Sequence, residues 1–547
     1  MKREDREGAT GFMNGVLLLS ASTLIVKILG LAYKIPMINI LGAEGMGYFN
    51  CAYEVFALLC VISTAGLPVA LSMMISSRYA RRDLYAVRRV CGTAFAVFFT
   101  LGASGTLALF LFGKRIAEHI GNVGAYASIV AIAPALLCVC ISGAVRGYFQ
   151  GLGNMLPTAL SQLTEAAGKL VFGAWFASAA LKKGYDIRVA SAYAVVGLCV
   201  GTLLSAILLG LMSAVSLKRL KRLESGSKKE SGLAKQLFAI ALPLTLGSAL
   251  ISLSRMVDMT LIMRRLVHIG YSPAQANELF GSYTTLALPV FGLIPSLVSP
   301  VALALVPKLC GARECKDLAT QSSVLRSSMR LTTLFAIPAS LGVAVYSEQI
   351  LGLLFSRQQK AVSLAAPLLS VLAMSILFSC MISTTNAILQ AYSHTKKPII
   401  SIAVGITVKA VSAYILIGNK NVGAFGAPIS TLLCDVTVTV INLYYINKYL
   451  PHVDSVPRLY ARPLAASVAM LTVSLAVFMG GTWLDVAEYI SFAAAMLAAL
   501  VSYLFFALTF RAIEKEDLLS LPCGKRLAHL AERSGMLESK IKKDNIF

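Results

Sequence analysis

The 547-residue chain is 57% hydrophobic and only 14% charged, with a mean hydropathy of +0.75. Soluble domains are about a quarter charged. Too little polar material is therefore present to coat a soluble surface, and disordered, collagenous and disulfide-framework chains are excluded by the same figures. The net charge of +23, from 49 Lys+Arg against 26 Asp+Glu, would suggest nucleic acid in a soluble protein. Here the basic residues fall mostly in alternate loops between apolar runs, which is the positive-inside pattern of a membrane protein and not a phosphate-binding face.

The apolar run that begins at Gly11 follows a mixed-charge start, is long, and has no small-residue cleavage site after it, so it reads as a first spanning helix and not as a signal peptide. About 20 apolar residues are needed per crossing. By that measure the sequence predicts fourteen spans, near 12–40, 47–76, 91–112, 125–147, 157–180, 190–213, 237–262, 279–307, 329–346, 361–391, 398–417, 424–447, 461–481 and 488–510. The longer ones are expected to tilt or bend at Pro36, Pro68, Pro295 and Pro300. The expected class is an all-α integral membrane protein of about fourteen transmembrane helices, with only short loops and a C-terminal tail outside them. The even-numbered loops hold most of the basic residues, among them Arg78, Arg81, Arg88, Lys218, Arg222 and Lys229, whereas the odd loops hold few. Both termini are accordingly expected on the cytoplasmic side.

The chain repeats itself weakly. Lys27 matches Arg255, Pro68-Val69-Ala70-Leu71 matches Pro300-Val301-Ala302-Leu303, and Gln150 and Lys169 match Gln390 and Lys409, at separations that grow along the chain. This is how a duplicated unit with lengthening loops behaves, and paired bundles are a transporter architecture. The expected organisation is an N-lobe at 1–216, a basic cytoplasmic linker at 217–236, a C-lobe at 237–447, two further spans within 448–512, and a cytoplasmic tail at 513–547, lying along the inner surface.

Most of the 11 Cys lie singly in apolar runs and read as small buried hydrophobes, and the five His are scattered over separate loops, so no metal cluster is expected. Ionisable residues within spans are costly, and their default reading is functional. Lys27 lies in the middle of span 1 with Lys34 two turns on along the same face, and Arg255 occupies the matching place in the second half. These three cations either face a common cavity as a receptor for an anion or snorkel to the interface. Glu165 and Lys169, four apart on span 5, suggest an in-helix ion pair. Asp258 neutralises Arg255, or converges with Asp435 to couple Na⁺ or H⁺ with Lys409 as a competing internal cation. The glycines of Arg146–Pro157 suit a tight helix–helix elbow, because no phosphate-loop Lys-Ser/Thr follows them. No nucleophile–base set suggests an enzyme.

The run Arg146 to Glu165 (RGYFQGLGNMLPTALSQLTE), with Gly66–Ser72 and Ala304–Pro307, resembles the stage V sporulation protein B / MurJ-type branch of the multidrug/oligosaccharidyl-lipid/polysaccharide exporter superfamily, from about residue 10 to 510. The resemblance implies a MATE/MurJ-like pair of pseudo-symmetric six-helix lobes, with two extra helices forming a groove for a lipid tail. It implies a bacterial inner-membrane flippase for undecaprenyl-diphosphate-linked cell-wall precursors, lipid II first. Another lipid-linked oligosaccharide, or a cation-coupled drug export, is the alternative. By position Lys27 and Lys34 match basic sites for the lipid diphosphate, while Arg255 is reached through the internal repeat. Asp258 resembles an acidic Na⁺ position of some members. No cofactor is expected beyond Na⁺, H⁺ or the membrane potential, and the partners are membrane lipids, the lipid-linked glycan and cell-wall synthesis proteins.

Overall fold

The computed structural model describes residues 2–81, 83–221, 232–315, 317–450, 456–510 and 512, without the side chains of 2–21, 23, 24, 27, 217–221, 299–308 and 456–459. The basic linker core, the tail beyond residue 512, the Lys27 side chain and the side chains of the Pro300–Leu303 and Ala304–Pro307 elements lie outside the described set. The described residues are helical, and their contacts divide the chain into two compact units: Met1–Thr285 with Ile417–Ala424, and Leu286–Leu416 with Phe425–Phe547.

The first unit holds α1 (Lys2–Thr64), α2 (Leu67–Ala80), α3 (Leu84–Ile120), α4 (Tyr126–Ala131), α5 (Ala133–Gly151), α6 (Leu156–Lys182), α7 (Ile187–Lys221), α8 (Leu233–His268) and α9 (Pro273–Ser282). α1 runs through the expected first loop and breaks only at Gly42, whose φ of 65° is a left-handed conformation that glycine adopts without the Cβ penalty. The bend expected at Pro68 is real: the chain breaks at Ala65–Gly66, and α2 starts with Pro68 in its first turn, where a missing N–H costs nothing. Local chemistry sets other ends. Asp83 caps α3 by accepting from Ala86 N at 2.9 Å, and Gly121 ends it in the left-handed region. Ser272 and Gln275 form a reciprocal capping box that starts α9.

Without a hydrophobic drive between helices in lipid, packing relies on small residues that let backbones approach. α6 and α7 do this at Gly168 and Gly201, where a Cβ on Gly168 would lie 2.7 Å from the Gly201 Cα. The elbow motif works in the same way. Gly147 and Gly151 share one face of α5, and a Cβ on either would press on α2 backbone, at Pro68 O (2.8 Å) or Ser72 O (2.9 Å). These glycines serve helix packing, as the elbow reading expects.

The second unit comprises α10 (Leu288–Glu314), α11 (Leu318–Val345), α12 (Ser347–Leu354), α13 (Gln359–Ala373), α14 (Ser375–Ala391), α15 (Lys396–Ile417), α16 (Gly426–Tyr449), α17 (Val456–Trp483) and α18 (Glu488–Thr509). A core of Leu309, Leu325, Met329, Ile388, Leu389 and Ile446 joins α10, α11, α14 and α16. The two last helices dock on α11, through Ala466 and Ala507 against Leu334 and through a Tyr346 hydroxyl 2.8 Å from Ser474 Oγ.

The expected count of fourteen spans is not reached. Among the described residues ten helices are long and apolar enough to cross a membrane, or twelve when the bent pairs Val123–Ala131 with Ala133–Gly151 and Gln359–Ala373 with Ser375–Ala391 each count as one crossing. Two physical causes account for the difference. Ile28–Ala80 forms one 53-residue apolar stretch where two spans were expected, and α6 carries Glu165 and Lys169 in its middle, which dilutes its hydropathy.

Candidate functional site: cations around Glu54

α1 contributes Tyr33 and Lys34 before its Gly42 break and Asn50 and Glu54 after it. The Lys34 ammonium donates to the Thr284 carbonyl at 2.7 Å. Thr284 lies in Tyr283–Ala287, a single π-helical turn that continues α9, and such turns are frequent at functional sites. Asn50 Nδ2 donates to Thr284 Oγ1 at 2.8 Å and to Thr285 Oγ1 at 2.7 Å. Beside this, Asn277 Nδ2 donates to the Glu44 carbonyl at 2.7 Å and Asn277 Oδ1 accepts from Asn122. α9 thus lies along α1 through a polar seam closed by Gly47 and Gly281.

Glu54 is the pivot. Its Oε2 lies 3.7 Å from Arg255 Nε on α8, an ion pair outside hydrogen-bond range. The Glu54 side chain is 17% exposed and that of Arg255 46% exposed, so the guanidinium keeps open faces. It donates a hydrogen bond to Ser252 Oγ at 3.1 Å. Glu54 also feels Lys34 and Asp258, and Lys34 feels Lys169. Three basic side chains, on α1, α6 and α8, therefore lie in one electrostatic neighbourhood with the carboxylates of Glu54, Asp258 and Glu165.

The pair expected between Glu165 and Lys169 resolves into two separate arrangements. Glu165 Oε2 accepts from Arg146 NH2 at 2.9 Å, and the same guanidinium donates to Ser161 Oγ at 2.9 Å and to Ser205 Oγ at 3.2 Å. Arg146 wins because its planar fork meets several oxygens at once. Lys169 instead points its ammonium into a box of rings, 4.6 Å from the centroid of Tyr53, 5.0 Å from Tyr33 and 5.9 Å from Phe49. Cation–π attraction partly replaces the water that the charge gives up. Sequence reasoning placed Lys169 in a structural pair; no spacing rule links Tyr33, Tyr53 and Lys169, which meet only in the fold.

The structure places the remaining expected residues as follows. Lys27 lies in α1, with its side chain outside the described set. Asp258 lies on α8 in the first unit, while Lys409 on α15 and Asp435 on α16 belong to the second, where Asp435 acts electrostatically on Cys380. Among the described residues no three of His, Cys, Asp and Glu gather as a metal site.

A multi-pass helical protein that holds ionisable side chains inside its spans has the architecture of a membrane transporter. Family comparison gives the class. Residues 12–310 match the model described as "Polysaccharide biosynthesis protein" and residues 170–505 the model described as "Lipid II flippase MurJ", so the chain belongs to the MurJ-like polysaccharide-biosynthesis family of membrane transporters. It is similar to stage V sporulation protein B of Bacillus subtilis (strain 168), at 25% identity over 94% of this chain and 98% of that protein. It is also similar to lipid II flippase MurJ of the same organism, at 24% identity over 80% and 82%. Its fold matches a solved structure of lipid II flippase MurJ in an inward closed conformation with a TM-score of 0.69, over 90% of this chain and 99% of that one at 16% identity. It matches an inward-facing MATE transporter of the MOP superfamily with a TM-score of 0.63, over 79% and 97%, also at 16% identity. The MurJ and MATE proteins among these relatives are a flippase and a transporter, not enzymes.

Proposed function

We propose that the chain flips a lipid-linked cell-wall precursor, with undecaprenyl-diphosphate-linked lipid II as first choice, from the inner to the outer leaflet of the bacterial cytoplasmic membrane by alternating access, both termini being cytoplasmic. The observation that carries this reading is the loosely held cation beside Glu54: Arg255 is half-exposed and paired only at 3.7 Å, with Lys34 in electrostatic range of Glu54 and Lys169 in range of Lys34. A diphosphate competes well for such a guanidinium, since charge-assisted bidentate contacts to phosphate are shorter and stronger than a 3.7 Å ion pair. Lys34 exchanges its carbonyl acceptor for a phosphate oxygen, and Lys27, on the same helix, contributes the third expected cation. The polyprenyl tail stays in lipid beside α17 and α18. Asp258, Asp435 and Lys409 are the groups through which Na⁺ or H⁺ would couple.

The match to the polysaccharide-biosynthesis model over residues 12–310 favours a second reading, in which the same cations hold another lipid-linked oligosaccharide. Native mass spectrometry of the purified protein separates the two: lipid II co-purifies, or competes for binding, under the first reading, and a different polyprenyl-linked glycan does under the second. The flippase reading as a whole requires that Arg255→Ala, correctly inserted, fails to rescue a strain lacking its lipid II flippase. Full rescue by that variant would overturn it.

A further inference from the structure

At the end of the second unit where α14 turns into α15 and α16 finishes, basic and aromatic side chains interleave. The Lys397 ammonium lies 4.8 Å from the Tyr445 ring centroid and 5.4 Å from that of Tyr449. The Lys448 ammonium lies 5.6 Å from the centroid of the same Tyr449 ring and 5.9 Å from that of Tyr444. His394 packs on Tyr449 as well, with centroids 4.9 Å apart. One tyrosine ring thus collects two ammonium groups and an imidazole. Tyr444, Lys448 and Tyr449 are exposed.

The arrangement is costly unless something negative covers it. The two segments 391–399 and 443–450 contain no carboxylate. Lys396 and Lys397 stand at the first residues of α15, the positive end of its backbone dipole, where cations are disfavoured. The turn beneath them is nevertheless firmly built. Ser393 takes a left-handed φ of 64°, and Arg313 donates to its Oγ at 3.0 Å and to the Ala391 carbonyl at 3.2 Å. Non-glycine residues hold such a backbone only where the surroundings fix it. Tyrosines at a helix end mark the headgroup level of a bilayer, and lysines there read as contacts to anionic lipid. On the charge asymmetry of the loops this end faces the cytoplasm.

We propose that this patch binds the headgroup of an anionic phospholipid of the inner leaflet, a phosphatidylglycerol-type phosphodiester, with Lys397 and Lys448 on the phosphate and Tyr444 and Tyr449 against the glycerol and upper acyl region. The site is independent of the cargo and of the cations around Glu54.

The full-length protein in nanodiscs of phosphatidylcholine with graded phosphatidylglycerol tests this by native mass spectrometry of retained lipid. Wild type should retain phosphatidylglycerol over phosphatidylcholine. The pair Lys397→Gln with Lys448→Gln should weaken that retention by about 10-fold or more, while Arg81→Gln with Arg88→Gln, on another basic loop, leaves it unchanged. Equal retention by the first pair, equal loss by the second, or equal binding of phosphatidylcholine overturns the proposal. So does loss of polyprenyl-diphosphate binding with phosphatidylglycerol retention intact. Should the first pair fail to fold, wild type decides: phosphatidylglycerol should shield Lys397 and Lys448 from an amine-acylating reagent several-fold more than it shields Lys360, and uniform labelling contradicts the site.

Discussion

At the scale of single residues, the Glu54–Arg255 contact separates a storage pair from a structural one. At 3.7 Å with 46% of the arginine side chain exposed, the two charges attract without a hydrogen bond to hold them. A pair of this kind contributes little to stability, about 0–1 kcal/mol, yet sets how hard an incoming anion must work to take the guanidinium. Glu54→Gln removes the internal competitor and should raise affinity for a soluble short-chain polyprenyl diphosphate several-fold. Arg255→Ala removes a charge-assisted contact of about 1.5–3 kcal/mol, so the same titration should show at least a 10-fold loss. If both variants weaken binding alike, Glu54 contacts cargo directly and the competitor role is wrong. The competitor role of Glu54 was not visible in the sequence. Arg255 was legible as a costly charge in a span, but its partner stands some two hundred positions earlier, and only the packing of α1 against α8 brings them together. Lys169 was misread for the opposite reason: its i,i+4 neighbour was obvious, and its three aromatic neighbours come from a different helix.

At the scale of elements, hydropathy found the helices but not their joints. It expected a loop at 41–46, where one glycine suffices, and it had no means of finding the π-turn at Tyr283–Ala287, because a single inserted residue leaves the apolar content unchanged. The seam between α1 and α9 depends on such details. A Cβ at Gly281 would run into the Ala43 carbonyl oxygen and come within 2.7 Å of Gly47 N, and both are backbone atoms that cannot rotate away. Gly281→Ala should therefore lower the melting temperature in detergent, with an overpacking cost of about 1–3 kcal/mol. Gly292→Ala, on the same continuous run of helix, meets nothing within 4 Å and should be neutral or stabilising by up to about 1 kcal/mol. A fluorescence-detected thermal unfolding series compares the two. Equal behaviour would mean that α1 and α9 yield at that contact. The glycines of Arg146–Pro157 were expected to form an elbow and not a phosphate loop; that Gly147 and Gly151 lie on the face of α5 that meets α2 is known only from the fold.

At the scale of the whole molecule, the crowding of basic residues into alternate loops is displayed directly by the sequence, whereas the charge of the proposed cargo is what bears on energetics. A cargo with two negative charges, moved outward from an inside-negative compartment, gains about 2.3 kcal/mol per charge per 100 mV, roughly 4.6 kcal/mol in all. A protein that neutralises the diphosphate with mobile cations returns those cations empty, so the net charge that crosses per cycle is still that of the cargo. Outward flipping in proteoliposomes should therefore accelerate under an inside-negative potassium diffusion potential and slow when its sign is reversed, even with Na⁺ and pH equal on both sides. Asp258→Asn should abolish any additional stimulation by a Na⁺ gradient while leaving the response to potential intact, because the charge of the cargo is unaltered. A flipping rate indifferent to the sign of the potential would show that the cargo crosses with its charge compensated by a co-transported cation, and Asp258 and Asp435 would then be the first positions at which to look for it.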